Sequence, residues 1–267
     1  MIALVTGGSS GIGLEFSRQL AAKGYDLIIV SNRQDQLNDV CGPRAKEFGV
    51  KVIPHFQNLA ETDAAEKLVE WCSSEGILPD ILVNNAGMFF FKELTPELMG
   101  KAEVMLGLHV TTPTKLCILF GDLMKKRGSG RILLVASMAA RIPAPGITVY
   151  SATKAYLRSF GESLSYELRP YGVSVTTLCP AAIATPLYGL RKDLLKFGVS
   201  IRVIHTPQWL VRRAIKGMLR GRRVMKPSFM NVYLPPLIAM LPAPPEQKIW
   251  NKFRSNFFCF RGELFLF

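Results

Sequence analysis

The chain has 267 residues, of which 49% are hydrophobic and 20% charged, with a formal net charge of +13. That length buries a substantial core, and nothing in it demands a second domain. The cysteines at 41, 72, 117, 179 and 259 are odd in number, scattered and without CxxC or Cys/His spacing. This argues against a disulfide framework or a zinc site, and for a reducing compartment. The basic residues are spread along the chain with no recognised nucleic-acid motif beside them, so nucleic acid is not an expected partner.

Taken in order, apolar runs at 2-5, 26-30, 51-54, 80-83, 131-136 and 173-178 predict strands. Helical stretches near 11-23, 34-48, 61-75, 96-126, 150-169 and 207-219 alternate with them. A seventh strand is predicted within 222-232. Such alternation predicts an α/β fold with a Rossmann-type, doubly wound parallel sheet of about seven strands and helices on both faces. The chain opens directly on a strand and a glycine turn, with no charged region and apolar stretch ahead of it, so a secretory signal is not expected.

Two places carry chemistry. Ile2 to Val5 run at once into Thr6-Gly7-Gly8-Ser9-Ser10-Gly11-Ile12-Gly13 and then into a helix. Glycines allow the tight turn and a close backbone approach to a pyrophosphate, and the helix N-terminus offers free amide donors to the anion. Much further on, Tyr150 and Lys154 lie four residues apart in YSATK, so in a helix they share one face. Ser137, closing the run ILLVAS, would face the same cleft. An ammonium beside a tyrosine favours the phenolate and brings a group with ordinary pKa near ~10 into catalytic range. The turn after the second strand reads Ile29-Val30-Ser31-Asn32-Arg33, with no carboxylate to hold a ribose and an arginine that can reach a 2′-phosphate. This favours NADP(H), with NAD(H) the alternative.

Together, TGGSSGIG at 6-13, NNAG at 84-87, Ser137 and YSATK at 150-154 resemble the short-chain dehydrogenase/reductase family, in unbroken order over roughly residues 1-224. The resemblance implies one Rossmann-type domain that binds NAD(H) or NADP(H) and interconverts alcohols and ketones. It implies cofactor contacts from Gly7, Ser9, Ser10, Gly11, Ile12, Gly13, Asn32 and Arg33, and from Asn58 and Leu59 in QNLAE. Asn85, Ala86 and Gly87 are expected on the adenosine side. Pro180, Ile183 and Thr185 are expected at the nicotinamide, and Tyr150 and Lys154 at its ribose. In the implied chemistry Ser137 binds the substrate oxygen, Tyr150 moves the proton and Lys154 lowers its pKa. His109 stands where the family usually has a helical asparagine that helps anchor a water near the lysine. It either preserves that proton path or packs in the core. The family also implies a dimer or tetramer built on the helices at 96-126 and 150-169. A catalytically silent cofactor-binding protein on the same scaffold is the competing reading, and the intact Ser137, Tyr150 and Lys154 speak against it.

The variable substrate loop falls at about 186-206, where leucines, Tyr188 and Phe197 mix with Arg191, Lys192 and Lys196. That composition suits a small hydrophobic substrate, such as a hydroxysteroid, a bile-acid-like molecule or a long-chain 3-oxoacyl or keto lipid. Residues 225-267 form an extension beyond the catalytic domain 1-224. Its stretch 229-241 is too short and proline-broken to span a bilayer. Trp250, Phe253, Phe257 and Phe258 then follow helical spacing among Lys248, Lys252, Arg254 and Arg261. This reads as an interfacial helix making a peripheral membrane contact from the cytoplasmic side, with a pocket lid or an oligomer contact as the competing reading.

Overall fold

The computed structural model describes residues 1–142, 145–185, 198–200, 204–229 and 231–233. Most of the predicted loop at 186-206, and all of the aromatic and basic segment at 248-261, lie outside the described residues.

Apolar runs buried on both faces form the strands β1 (Ile2–Thr6), β2 (Asp26–Ser31), β4 (Ile81–Asn84), β5 (Gly130–Val135) and β6 (Val173–Leu178), and the less buried β3 (Val52–Phe56) and β7 (Val224–Met225) form the edges. They make one sheet in the order β3-β2-β1-β4-β5-β6-β7, and every neighbouring pair is parallel. The longer helices among the described residues are α1 (Gly11–Ala21), α2 (Gln34–Phe48), α3 (Ala64–Ser74), α4 (Met99–Leu106), α5 (Thr112–Arg127), α6 (Thr148–Leu168) and α7 (Pro207–Leu219).

Strand periodicity divides the core in two. Leu4, Ile28, Leu82, Ile132 and Leu134 face one side and pack with Leu68 of α3, Leu116 and Phe120 of α5 and Leu157 of α6. Their sequence neighbours Val5, Leu27, Ile29, Val83 and Leu133 face the other, against Phe16 and Leu20 of α1, Leu37 of α2 and Leu210 and Ile215 of α7. Each fully buried side chain of this kind contributes ~1.5–3 kcal/mol, so both faces are needed. The order reverses between β1 and β4, and a parallel sheet opens its ligand crevice beyond the carboxyl ends of the strands at such a point.

Two elements differ from expectation. The predicted helix 96-126 is interrupted: a 3₁₀ turn at Pro96–Leu98 leads into α4, and a π-helical turn at Gly107–Thr111 separates α4 from α5. Pro113 has no N–H to offer the carbonyl four residues back, at His109, so the regular ladder breaks where the ring of His109 turns inward. The run Pro96–Arg127 is long and apolar enough to cross a membrane by length and composition. However, Leu116, Cys117, Phe120 and Met124 on it are buried in the protein's own core. The predicted seventh strand shrinks to two residues, because Pro227 cannot donate to a ladder.

Candidate active site

The first helix begins in a loop that needs its glycines. Gly7 and Gly11 have φ of +62° and +54°, a region that favours glycine. A Cβ on Gly13 would lie 2.0 Å from the Gly7 carbonyl oxygen. Ser10, at the N-cap of α1, makes no side-chain capping bond, and the first turn of α1 holds no carboxylate. The first-turn amides are therefore left without a side-chain cap, the arrangement that suits an anion at a helix N-terminus. Beside the loop, the Arg33 N–H donates to Ser31 Oγ at 3.1 Å, the Ser31 and Ser9 hydroxyls lie 2.8 Å apart, and Ser9 donates to Gln36 Oε1 at 3.1 Å. This chain of donors ties the glycine loop to the end of β2 and to α2. The side chains of Asn32 and Arg33 stay exposed at the rim.

The floor comes from the exit of β4. The Thr6 hydroxyl accepts from the N–H groups of Asn85 and Ala86, both at 3.0 Å, and donates to the Val83 carbonyl at 3.3 Å. Asn85 Nδ2 donates to the carbonyls of Thr6 and Gly7. Asn84 is buried behind it, with Nδ2 3.4 Å from Cys117 Sγ. Asn58 turns its Oδ1 to the N–H of Ala60, 3.1 Å away, which fixes the loop that carries Leu59.

At the far end, Ser137, Tyr150 and Lys154 are all buried. Ser137 Oγ accepts from the Ala139 N–H at 3.1 Å, which leaves the hydroxyl proton to donate elsewhere. Lys154 Nζ donates to the Val135 carbonyl at 3.0 Å and lies 5.6 Å from the centre of the Tyr150 ring. Burial lowers the pKa of Lys154 to about 8. His109 is 1% exposed and uses both ring nitrogens: Nε2 accepts from the Met88 N–H at 2.9 Å, and Nδ1 lies 3.0 Å from Thr153 Oγ1. Because the Thr153 hydroxyl donates to the Tyr150 carbonyl at 2.8 Å, the proton between His109 and Thr153 belongs to Nδ1. Burial, and then the charge of Lys154, hold the imidazole well below its ordinary pKa, so the ring is neutral.

One cleft of about 680 Å³ joins most of these parts, although Ser137, expected to face it, is not among the residues that line it, while its neighbour Ala136 is. It is lined by the glycine loop with Ser9, Ser10 and Ile12, by Asn32, Arg33, Asn58 and Leu59, by Asn85, Ala86 and Gly87, and by His109, Tyr150, Lys154, Pro180, Ile183 and Thr185. The structure thus gathers the expected cofactor-side residues around one space, with Gly13 packed directly behind Gly7. A family profile described as short chain dehydrogenase matches residues 1–194. The chain belongs to the short-chain dehydrogenase/reductase family.

Among curated relatives of this family member, the mouse protein named very-long-chain 3-oxoacyl-CoA reductase is 31% identical over 198 residues, covering 72% of this chain and 62% of its own length. Its counterpart in Macaca fascicularis is 31% identical over 218 residues, covering 80% and 67%. The chain therefore spans roughly three-fifths to two-thirds of the length of such relatives. Among solved structures, a short-chain dehydrogenase from Sphingobium yanoikuyae in complex with NADPH superposes with a TM-score of 0.77 at 25% identity, covering 91% of this chain and 96% of that one. L-sorbose reductase from Gluconobacter frateurii, complexed with NADPH and L-sorbose, gives 0.72 at 25% identity over 83% and 90%.

Sequence reasoning missed an aromatic wall beside Tyr150. Met88, Phe89, Phe90 and Phe91, directly after NNAG, pack with Ile147 and Tyr150. The Phe89 ring meets the Tyr150 ring edge-on at 5.0 Å. Gly146 has φ +79°, and a Cβ there would lie 2.7 Å from the Phe91 ring. The run MFFF beside a sheet exit was the available signal. Thr153 and Gln36 had none, since each acts through a hydrogen bond that only the folded chain creates. Among the described residues no cluster of three His, Cys, Asp or Glu is placed to hold a metal ion.

Proposed function

We propose that this chain is an NADP(H)-preferring oxidoreductase that interconverts a lipophilic ketone and the corresponding secondary alcohol. Long-chain 3-oxoacyl thioesters are the first substrate class, and hydroxysteroids the second. The observation that carries this reading is the meeting of Tyr150, Lys154 and the glycine loop in one cleft. The uncapped start of α1, without a nearby carboxylate, suits a pyrophosphate. The exposed Arg33, with no acidic residue at the end of β2, suits a 2′-phosphate. When bound, the nicotinamide cofactor supplies or accepts the hydride.

The residues of this chain manage the oxygen and its proton. Ser137, whose Oγ already accepts from Ala139, donates its hydroxyl proton to the substrate oxygen. Tyr150 gives a proton to that oxygen during reduction and takes it back during oxidation. With a pKa of about 8, Lys154 is mostly charged at neutral pH, and its positive field favours the Tyr150 phenolate. The neutral His109 adds no competing cation. With both ring nitrogens engaged, it acts as a positioning residue that joins the Met88 backbone to the Tyr150 turn, which the present geometry favours over a water relay.

The substrate reading draws on the relatives named very-long-chain 3-oxoacyl-CoA reductase and on the aromatic wall Met88 to Phe91. Self-association through α5 and α6 is part of the same proposal, because Ile118 and Tyr156 present apolar surface there. So are the partition into a catalytic domain 1-224 with an extension, and a cytoplasmic location with the tail at a membrane surface. The test follows the near-ultraviolet absorbance of NADPH and NADH across 3-oxoacyl thioesters, steroid ketones and long-chain keto bases. Turnover of a 3-oxoacyl thioester, faster with NADPH, is expected. Binding of NADPH with no turnover on any member of the panel would favour the silent-binder reading.

A further inference from the structure

The strand β7 ends at Met225, but its neighbour β6 (Val173–Leu178) continues its bonding pattern through Cys179. In a parallel ladder one residue sends its N–H to the residue before its partner and receives the N–H of the residue after it. The first half of this pattern is present: the Thr177 N–H reaches the Arg223 carbonyl at 2.7 Å, and the Cys179 N–H reaches the Met225 carbonyl at 2.8 Å. The same register assigns the Cys179 carbonyl to the N–H of residue 227. That residue is Pro227, which has none. The missing donor comes from Asn231, whose side chain is 2% exposed and whose Nδ2 lies 2.5 Å from the Cys179 carbonyl oxygen.

What this bond holds is the catalytic end of the cleft. Cys179 leads directly into Pro180, which lines the cleft and whose carbonyl accepts the Met138 N–H at 2.8 Å, next to Ser137. Ile183 and Thr185 follow on the same stretch and line the cleft too. The backbone carbonyl of Asn231 also accepts from the Arg141 guanidinium at 3.4 Å, on the turn that Ser137 caps. One buried residue is therefore joined to both chain segments that frame the nicotinamide half.

We infer that Asn231 is a positioning residue for the nicotinamide half of the cleft, supplying the donor that Pro227 cannot. The inference rests on the dinucleotide reading given above. Calorimetric titration of the full chain with two probes tests it: NADPH, and 2′-phospho-ADP-ribose, the same molecule without the nicotinamide ring. Asn231→Leu is expected to weaken NADPH about tenfold, as for one lost hydrogen bond, and to leave the second probe within about twofold. Equal weakening of both probes, or an unchanged NADPH affinity, overturns the inference. Should Asn231→Leu not fold, the double variant Pro227→Ala/Asn231→Leu decides, since it returns a backbone N–H at 227. NADPH affinity within about threefold of the unaltered chain supports the inference, and a loss of about tenfold or more overturns it. An unaltered chain that binds neither probe would overturn the cofactor reading, and this inference with it.

Discussion

At the end of the cleft proposed for the adenosine half the chain works with backbone and small side chains, Gly7, Gly11, Gly13, Ser9 and Ser31. At the end proposed for catalysis it works with larger buried polar side chains, held mostly by backbone: Lys154 by the Val135 carbonyl, His109 by Met88 and Thr153, and Asn231 by Cys179. In the proposed reading the first design fixes the shape of a phosphate cradle, and changes to it should act mainly on binding. The second fixes the direction of a few polar atoms: changes to Tyr150 and His109 should act mainly on turnover, while changes to Asn231, which holds backbone, should act on binding of the nicotinamide half alone. The two ends are thus separable by experiment.

The sharpest separation should come from Tyr150→Phe. Removing one hydroxyl is expected to lower turnover by roughly a thousandfold, within the range of general acid catalysis, and to leave dinucleotide affinity within about twofold. Stopped-flow rates beside a binding titration check both halves. Gly13→Ala attacks the opposite end. With a Cβ forced to 2.0 Å from the Gly7 carbonyl oxygen and 2.4 Å from Asn85 Nδ2, dinucleotide affinity should fall by about a hundredfold and stability by ~2–3 kcal/mol. Normal dinucleotide affinity in the Gly13→Ala variant would break the comparison.

His109 gives a smaller and more diagnostic effect. His109→Leu leaves the Met88 N–H without its partner and should cost ~1–3 kcal/mol, with turnover reduced about tenfold. His109→Asn keeps a donor and an acceptor and should retain most of the activity. Equal rates in the two variants would remove His109 from the positioning role.

The last effect concerns pH, and it is read in stability alone. Burial gives Lys154 a folded pKa of about 8, below its ordinary 10.5, so between those values the unfolded chain binds more protons. Stability attributable to Lys154 therefore rises with pH from about 8 toward 10.5, and below that window the full penalty of burying the charge remains. Denaturant titrations of the unaltered chain and of Lys154→Met should diverge across that window, the unaltered chain gaining. Parallel curves would mean that Lys154 is not depressed.

Most of the sheet was legible because both of its faces are buried, so each central strand is written as an unbroken apolar run. The glycine loop and YSATK were legible because their chemistry depends on residues close in sequence. The break in the long helix was written in Pro113, and the short seventh strand in Pro227, but a missing N–H shows only where a bond fails. It does not show what replaces it. For that reason the inward turn of His109 and the donation by Asn231 could be read only from the folded chain. The aromatic wall was hidden differently: Met88 to Phe91 look like any apolar run until Ala139, Ile147 and Tyr150 fold against them.

The most direct test of the account is to reduce the best ketone of the substrate panel with NADPH deuterated at nicotinamide C4, on the face from which transfer occurs, and to analyse the product by mass spectrometry. The account predicts an alcohol with deuterium on its carbinol carbon, formed by the unaltered chain and almost absent with Tyr150→Phe. NADPH bound in the cleft with no deuterium reaching any product would contradict it.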